Sequence, residues 1–175
     1  MTDLLQGGST PHGLLPSGTR LDARVVDVVV LAPAPPGRRA RWQVLTMRRA
    51  AGTRCTGAWE LVHGRIELDE RPPAAARREV LEETGLAVQR LYSLAVNPFY
   101  LHRFDAIQLA IVFAAIVDEA LPVTTGVEHD QFRWCTPTTA LKSLAWPREH
   151  EAVRAALHLL RSGDAGCVED VLRVP

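Results

Sequence analysis

The sequence predicts an α/β fold, a mixed β-sheet with helices packed on it. Apolar and β-branched runs that read as strands fall into two groups, and each group is followed by a segment with helical character, 72–84 and then 149–163. Composition agrees. The chain has 175 residues, 47% hydrophobic and 23% charged, which suits one folded domain and excludes wholesale disorder.

Residues 1–20 are rich in Gly, Ser, Thr and Pro and read as a flexible N-terminal arm, leaving a domain over 21–163 and a C-terminal tail over 164–175. RVVDVVVLA (24–32) is a buried strand by its β-branched run, and three prolines and a glycine in 33–41 end it. WQVLTMRR (42–49) resumes as a strand, 51–57 is a loop, and WELVHGRIE (59–67) is extended with Gly64 as a bulge. PPAAARREVLEET (72–84) is the clearest helix, with Pro72 in its first turn and Gly85 as a left-handed C-terminal cap. Strands follow at 86–96 and 107–118, with 97–106 an aromatic-rich loop between them. Another loop spans 120–130, a short strand 131–136, and the last helix closes at Gly163 with apolar residues at 153, 156, 157 and 160.

Charge and cysteine content exclude several functions. Twenty basic residues balance twenty acidic ones, which disfavours general nucleic-acid binding. The longest apolar run, 109–117, is half of what a bilayer crossing requires, and the N-terminus has no basic region before an apolar core, so neither a membrane span nor a secretory signal is expected. Cys55, Cys135 and Cys167 are widely spaced with no CxxC, which argues against a disulfide framework or zinc knuckle and for a cytoplasmic location.

One stretch carries chemistry. From Gly64 the spacing runs five residues to Glu70, seven to Arg78-Glu79, then apolar Val80, one residue, Glu82-Glu83, one residue, Gly85 and apolar Leu86. On a helix Glu79, Glu82 and Glu83 fall within about a 100° arc, and they sit toward the C-terminal end, where the helix dipole disfavours negative charge. Three such carboxylates repel one another, and a hard divalent cation, Mg²⁺ or Mn²⁺, removes that penalty. Arg78 stands four residues before Glu82 and can hold it in place. The remaining circumference, Arg77, Val80, Leu81 and Thr84, contains the apolar part expected to pack on the sheet.

This pattern resembles the Nudix box and is complete at each defining position. Seven fixed identities with two apolar positions match by chance on the order of once in 10⁹ starting points. The resemblance covers roughly residues 20–160 and implies the family's α/β/α sandwich. It also implies metal-assisted attack of water on a phosphorus of a nucleoside diphosphate linked to another group. Glu79 and Glu83 match the family's principal metal ligands, the Gly64 position supplies a backbone carbonyl to metal, and Glu82 matches a position that is ligand or base. Where many members read Pro-Gly-Gly, this chain reads Val62-His63-Gly64, so His63 replaces a glycine and becomes a candidate for substrate contact. Beyond the box, Glu128 in GVEHDQFRW resembles the family's later loop carboxylate, whereas His129 reads as a surface residue.

Phosphate-binding candidates are Arg48, Arg49 and Arg65; alternation sends Arg48 and Arg49 to opposite faces, so one of the two is expected to reach the site. Phe99, Tyr100, Phe104 and Trp134 could stack on a base or simply pack. Cys55 reads as loop packing, since the box provides its own chemistry. The stretch 127–153 resembles the end of dATP and dihydroneopterin-triphosphate pyrophosphohydrolases, which points to a (d)NTP or pterin triphosphate as substrate. Dinucleoside polyphosphates and nucleotide sugars are the alternatives; no SQPWPFPxS-like tract marks an NADH pyrophosphatase, and no basic tract marks a decapping enzyme. An inactive nucleotide-binding module of the same fold would typically lack one of the box glutamates, all of which are present, and an isomerase of this fold needs a cysteine for which Cys55 alone is near the box. The expected partner is a small nucleotide-type molecule, and a homodimer is left open.

Overall fold

A computed structural model describes residues 12–15 and 18–175. The expected N-terminal arm, 1–20, lies largely outside the described residues. Within it β1 (His12–Leu14) pairs antiparallel with β2 (Arg20–Pro33). The chain continues through β3 (Trp42–Arg49), β4 (Trp59–Glu60), β5 (Val62–Arg65), α1 (Pro72–Thr84), β6 (Arg90–Leu101), β7 (Ala106–Ile116), β8 (His129–Cys135), α2 (Pro137–Ser143), α3 (Pro147–Leu159), α4 (Glu169–Leu172) and β9 (Arg173–Val174).

These strands form a mixed sheet ordered β4-β3-β2-β7-β6-β9, with β2 and β7 parallel and the other pairs antiparallel. The centre is the long β2–β7 pair, built from the two most apolar runs, and alternation splits its side chains between two cores. Val26, Val28 and Val30 join Phe113, Leu45 and Met47 under the Ala75, Ala76 and Val80 face of α1. Val29, Leu31, Val44, Val112, Ala114 and Ile116 pack under Ala152, Val153 and Ala156 of α3 and Ala140 of α2. The result is the helix–sheet–helix sandwich.

The sheet divides beside the site. β2 pairs with β3 only at residues 31–33 and with β5 at residues 25–28, while β3 turns away to pair with β8 and β4. This division brings β4, β5, the end of β3 and the start of β8 together in front of α1.

Four expectations about elements change. Residues 97–101, expected as an aromatic loop, continue β6, because they pair residue for residue with 106–110 of β7; the turn is confined to residues 102–105. Residues 86–89 are not strand, and β6 begins at Arg90. Gly64 is no bulge: it sits in unbroken register opposite Val26. Leu81, expected to pack, is 57% exposed, and the face of α1 against the sheet is made instead by the small residues Ala75 and Ala76 with Val80 and Thr84. Composition alone did not announce α2, yet Thr136 caps it by accepting from the Thr139 N–H, and Pro137 opens its first turn. Residues 164–175 are docked: Glu169 accepts from the Tyr92 hydroxyl and the Ala165 N–H, and β9 pairs with β6 at Leu91 and Tyr92.

Candidate active site

Helix α1 positions the acidic cluster. It starts at Pro72, where the missing N–H costs nothing, and stops at Gly85, whose φ of 72° closes the last turn with a bond to the Leu81 carbonyl. Ahead of it Glu70 accepts from the Glu67 N–H, which folds the connecting turn, and receives both Nε and Nη2 of Arg78 at 2.9 Å. Arg78 then spends its other donors on the Arg65 carbonyl (2.8 Å), Glu79 (2.9 Å) and Glu82 (3.1 Å). One guanidinium thus ties the connecting turn, β5 and α1 together, and the expected Arg78–Glu82 pair is part of this larger clamp.

The carboxylates differ in surroundings. Glu79 leans onto Gly64: a Cβ built there would lie 1.9 Å from Glu79 Cδ, so only glycine leaves room for this carboxylate beside the β5 backbone. Burial raises the Glu79 pKa, against the pull of Arg78. Glu83 is deeper still, with a side chain 15% exposed and Oε2 buried without a hydrogen-bond partner. Burial, reinforced by the charges of Glu79, Glu60 and Glu128, pushes its pKa up to about 9. Glu82 is 58% exposed and faces outward beyond Arg78.

Behind Glu83 lies a polar hub that sequence reasoning missed. Glu60 of β4 is 1% exposed and accepts from Arg49 Nη1 (2.9 Å), Trp146 Nε1 (3.1 Å) and His129 Nε2 (2.9 Å). Burial opposes its ionisation, but the hydrogen bond from His129, the nearby His63 and the bonds from Trp146 and Arg49 outweigh it and hold Glu60 at about 2. His129, expected at the surface, is 3% exposed, and its Nδ1 faces Glu83 Oε2 at 3.9 Å, both atoms unpartnered. The signal for Glu60 was a lone acid inside WELV: a charge in an apolar strand must be paired or functional.

Of the expected phosphate-binding groups, the structure brings Arg49 rather than Arg48 to the carboxylates. Arg49 bridges Glu60 and Glu128 (Nη2 to Oε2, 3.3 Å), whereas Arg48 points to the opposite face of β3 and is held bidentate by Asp130. Glu128 is 61% exposed at the rim of the site. His63 lies on the face opposite Gly64, with Nδ1 3.3 Å from the Leu61 carbonyl and 3.8 Å from Glu60. Arg65 contributes its carbonyl to Arg78, and its side chain is exposed. Among the aromatics, Phe132 and Trp134 pack on the α1 core and Phe99 stacks under Arg148. The three cysteines are free, and Cys55 is exposed in its loop.

A divalent cation fits this donor set. The oxygens are hard, one of them is a buried orphan, and Glu83 itself has no arginine partner among the described residues, its nearby acids being paired with Arg78 and Arg49 instead. Among the described residues no three or more His, Cys, Asp or Glu side chains converge as they would around a metal ion. Arg78 instead bridges Glu79 and Glu82, drawing the carboxylates toward itself. Among the described residues no helix is long and apolar enough to cross a membrane.

Comparison with known proteins agrees with this geometry. The NUDIX domain family matches residues 23–156. A protein named octanoyltransferase from Myxococcus xanthus is 35% identical over 148 residues, covering 78% of this chain and 38% of that protein. An RNA pyrophosphohydrolase of Bartonella tribocorum is 30% identical over 95 residues, 43% of this chain and 55% of that one. The chain therefore spans between 38% and 55% of the length of these curated relatives. Among solved structures, an Ap4A hydrolase of C. elegans superposes with a TM-score of 0.66 at 16% identity, over 80% of this chain and 98% of that one, a likeness of fold. With the box complete, the carboxylates gathered at Gly64 and the family match running from β2 into α3, the chain belongs to the Nudix family.

Proposed function

We propose that this chain is a metal-dependent pyrophosphohydrolase that cleaves a pyrophosphate bond in a nucleoside diphosphate linked to another group, with a (d)NTP or a pterin triphosphate as the substrate class. The observation that carries the reading is the Gly64–Glu79–Glu83 arrangement. A glycine is kept free of any Cβ so that a carboxylate can lie on its backbone, next to a second carboxylate whose buried oxygen has no protein partner. As structural furniture this arrangement is costly, and as a cation and phosphate site it is sensible.

In this reading Glu79, Glu83 and the Gly64 carbonyl hold Mg²⁺ or Mn²⁺, and Glu82 adds a ligand or a base. The cation, when bound, neutralises the pyrophosphate and lowers the pKa of bound water. The protein's own groups do the rest. Arg78 restrains Glu79 and Glu82 through its clamp to Glu70 and Arg65. Arg49, already held by Glu60, offers a fixed cation for the phosphates, and the arriving phosphate takes the place of its long bond to Glu128. Glu128, exposed at the rim and released from Arg49, is the group positioned to accept the proton of the attacking water. His63 and Arg65 contact substrate from the β5 side, while Arg48, held by Asp130, is a weaker candidate.

Dinucleoside polyphosphates remain the second reading, favoured by the likeness in fold to an Ap4A hydrolase. The deciding experiment incubates the protein with nucleoside triphosphates, neopterin triphosphate, dinucleoside polyphosphates and nucleotide sugars in Mg²⁺ or Mn²⁺ and identifies products by mass. Release of a nucleoside or pterin monophosphate with pyrophosphate supports the first reading. Hydrolysis confined to dinucleotides supports the second, and no cleavage of any of them leaves an inactive binding module of the same fold.

A further inference from the structure

A buried ion pair on the α3 face of the sheet is not needed for the chemistry above. Asp27, fully buried in β2, takes Nε and Nη2 of Arg148 at 2.8 and 3.2 Å, which fixes the guanidinium in its plane. The ring of Phe99, 4.5 Å from Arg148 Cζ, fixes it face-on, and Asn97 Nδ2 donates to the Arg148 carbonyl. The pair stands beside the catalytic cluster: Asp27 is the register partner of His63, the residue before Gly64, and Trp146, also stacked near Arg148, donates to Glu60.

A charge pair buried for packing alone is no better than apolar residues of the same volume. Arg148 has a further use available. Its Nη1 has no acceptor among the described residues, and the side chain keeps 15% of its surface exposed. Gln108, the cross-strand partner of Phe99, is 8% exposed, and its amide has no hydrogen-bond partner among the described residues. A rigid, planar pair of N–H donors is built to meet ring-carbonyl acceptors.

We propose that Arg148 is a specificity-determining residue of this site and that it selects a base with a lactam edge, the 6-oxo edge of guanine or the corresponding edge of a pterin, over the 6-amino edge of adenine. The proposal rests on the nucleotide reading of the site given above and deepens it. The lactam oxygen accepts from Nη1, whereas the exocyclic amine of adenine would meet the guanidinium donor to donor.

The test compares GTP with ATP on the full chain in Mg²⁺ by kcat/KM, and their α,β-methylene analogues by equilibrium titration of tryptophan fluorescence. The wild type is expected to prefer the guanine compound by about tenfold or more in both measurements, the size of one directed base contact. Arg148→Lys keeps a cation against Asp27 but loses the planar fork, and in it the preference falls to within about twofold of unity at an unchanged melting temperature. Asp27→Asn with Arg148→Gln, which replaces the ion pair by neutral amides, serves the same comparison if the lysine variant fails to fold. Neopterin triphosphate, run beside GTP, tells the two lactam sources apart. Equal or reversed preference in the wild type overturns the proposal, as does a guanine preference that Arg148→Lys leaves intact; in either case hydrolysis of both nucleotides leaves the proposed function standing. Selective binding of the guanine analogue without hydrolysis of any compound upholds the role of Arg148 and refutes the hydrolase reading.

Discussion

Glu83→Gln separates a carboxylate kept for a cation from one kept for the fold. Glu83 titrates near 9 in the metal-free protein, against an ordinary value of 4.5, because it is buried among Glu79, Glu60 and Glu128. Between those two pH values the folded state holds a proton that the unfolded state has released, so stability must fall as pH rises. The slope is one proton, about 1.4 kcal/mol per pH unit, and by neutral pH the loss amounts to about 3 kcal/mol. Glutamine cannot ionise in either state, and its amide can donate toward His129 Nδ1, which lies 3.9 Å from the present Oε2 and has no partner. In chelator at neutral pH the variant is therefore expected to be more stable than wild type, by up to about 3 kcal/mol, with a flatter pH profile. Added Mg²⁺ should raise the wild-type melting temperature and leave the variant nearly unmoved. Turnover should fall by about 10²-fold or more, as for loss of one electrostatic stabiliser. The assays are thermal melts across pH with and without metal, paired with initial rates against metal concentration. A variant that melts lower in chelator yet hydrolyses substrate normally would refute the reasoning, because Glu83 would then serve the fold.

Activity is expected to vanish in excess chelator and return with Mg²⁺ or Mn²⁺; full turnover in chelator would remove the cation from the mechanism. Gly64→Ala places a methyl where Glu79 now lies, 1.9 Å from its Cδ, and since that side chain can swing away the melting temperature should move little while kcat/KM drops by about tenfold or more. Glu60→Ala strands Arg49 and His129 and should destabilise by about 3–5 kcal/mol, measured by urea unfolding. Because Glu60 titrates near 2, its contribution is present above pH 4.5 and is lost only as pH falls toward 2, so acid unfolding of wild type should be steep in that window and shallower in Glu60→Gln. Glu128→Gln, at an exposed rim position, should leave the melting temperature unchanged and slow turnover by about 10²-fold; activity within a few-fold of wild type would make it a surface residue.

The legible parts of this protein are those whose signal is local. Helix α1 was readable to the residue because Pro72 and Gly85 act through their own backbone, and β2 and β7 were readable as buried strands, though not their parallel pairing, because runs such as VVDVVVLA have nowhere to go but inside. The extent of β6 was not, since residues 97–101 contain Asn and Pro and become strand only by pairing with 106–110, a contact that local propensity does not encode. The face of α1 was misjudged at Leu81 for a related reason. The helix packs close to β5 through Ala75 and Ala76, and that close approach leaves the larger leucine outside.

The site divides along the same line. Its acids sit on one helix, so their spacing alone located Glu79, Glu82 and Glu83. The residues that set the environment of Glu83 come from elsewhere: Glu60 on β4, Arg49 at the end of β3, His129 at the start of β8 and Trp146 before α3. They meet only because the sheet divides between β3 and β5, and no spacing rule reports a division of that kind. The hub also accounts for Arg49 rather than Arg48 facing the carboxylates. Alternation fixed that just one of the two could, and the buried Glu60, whose pKa is held down at about 2, decides which. A cation held there by a partner already in place loses little freedom when a phosphate arrives. In the proposed reading the arrangement does two things with one charge: it keeps Arg49 ordered ahead of the phosphate, and it leaves the longer 3.3 Å bond to Glu128 as the one a phosphate would displace.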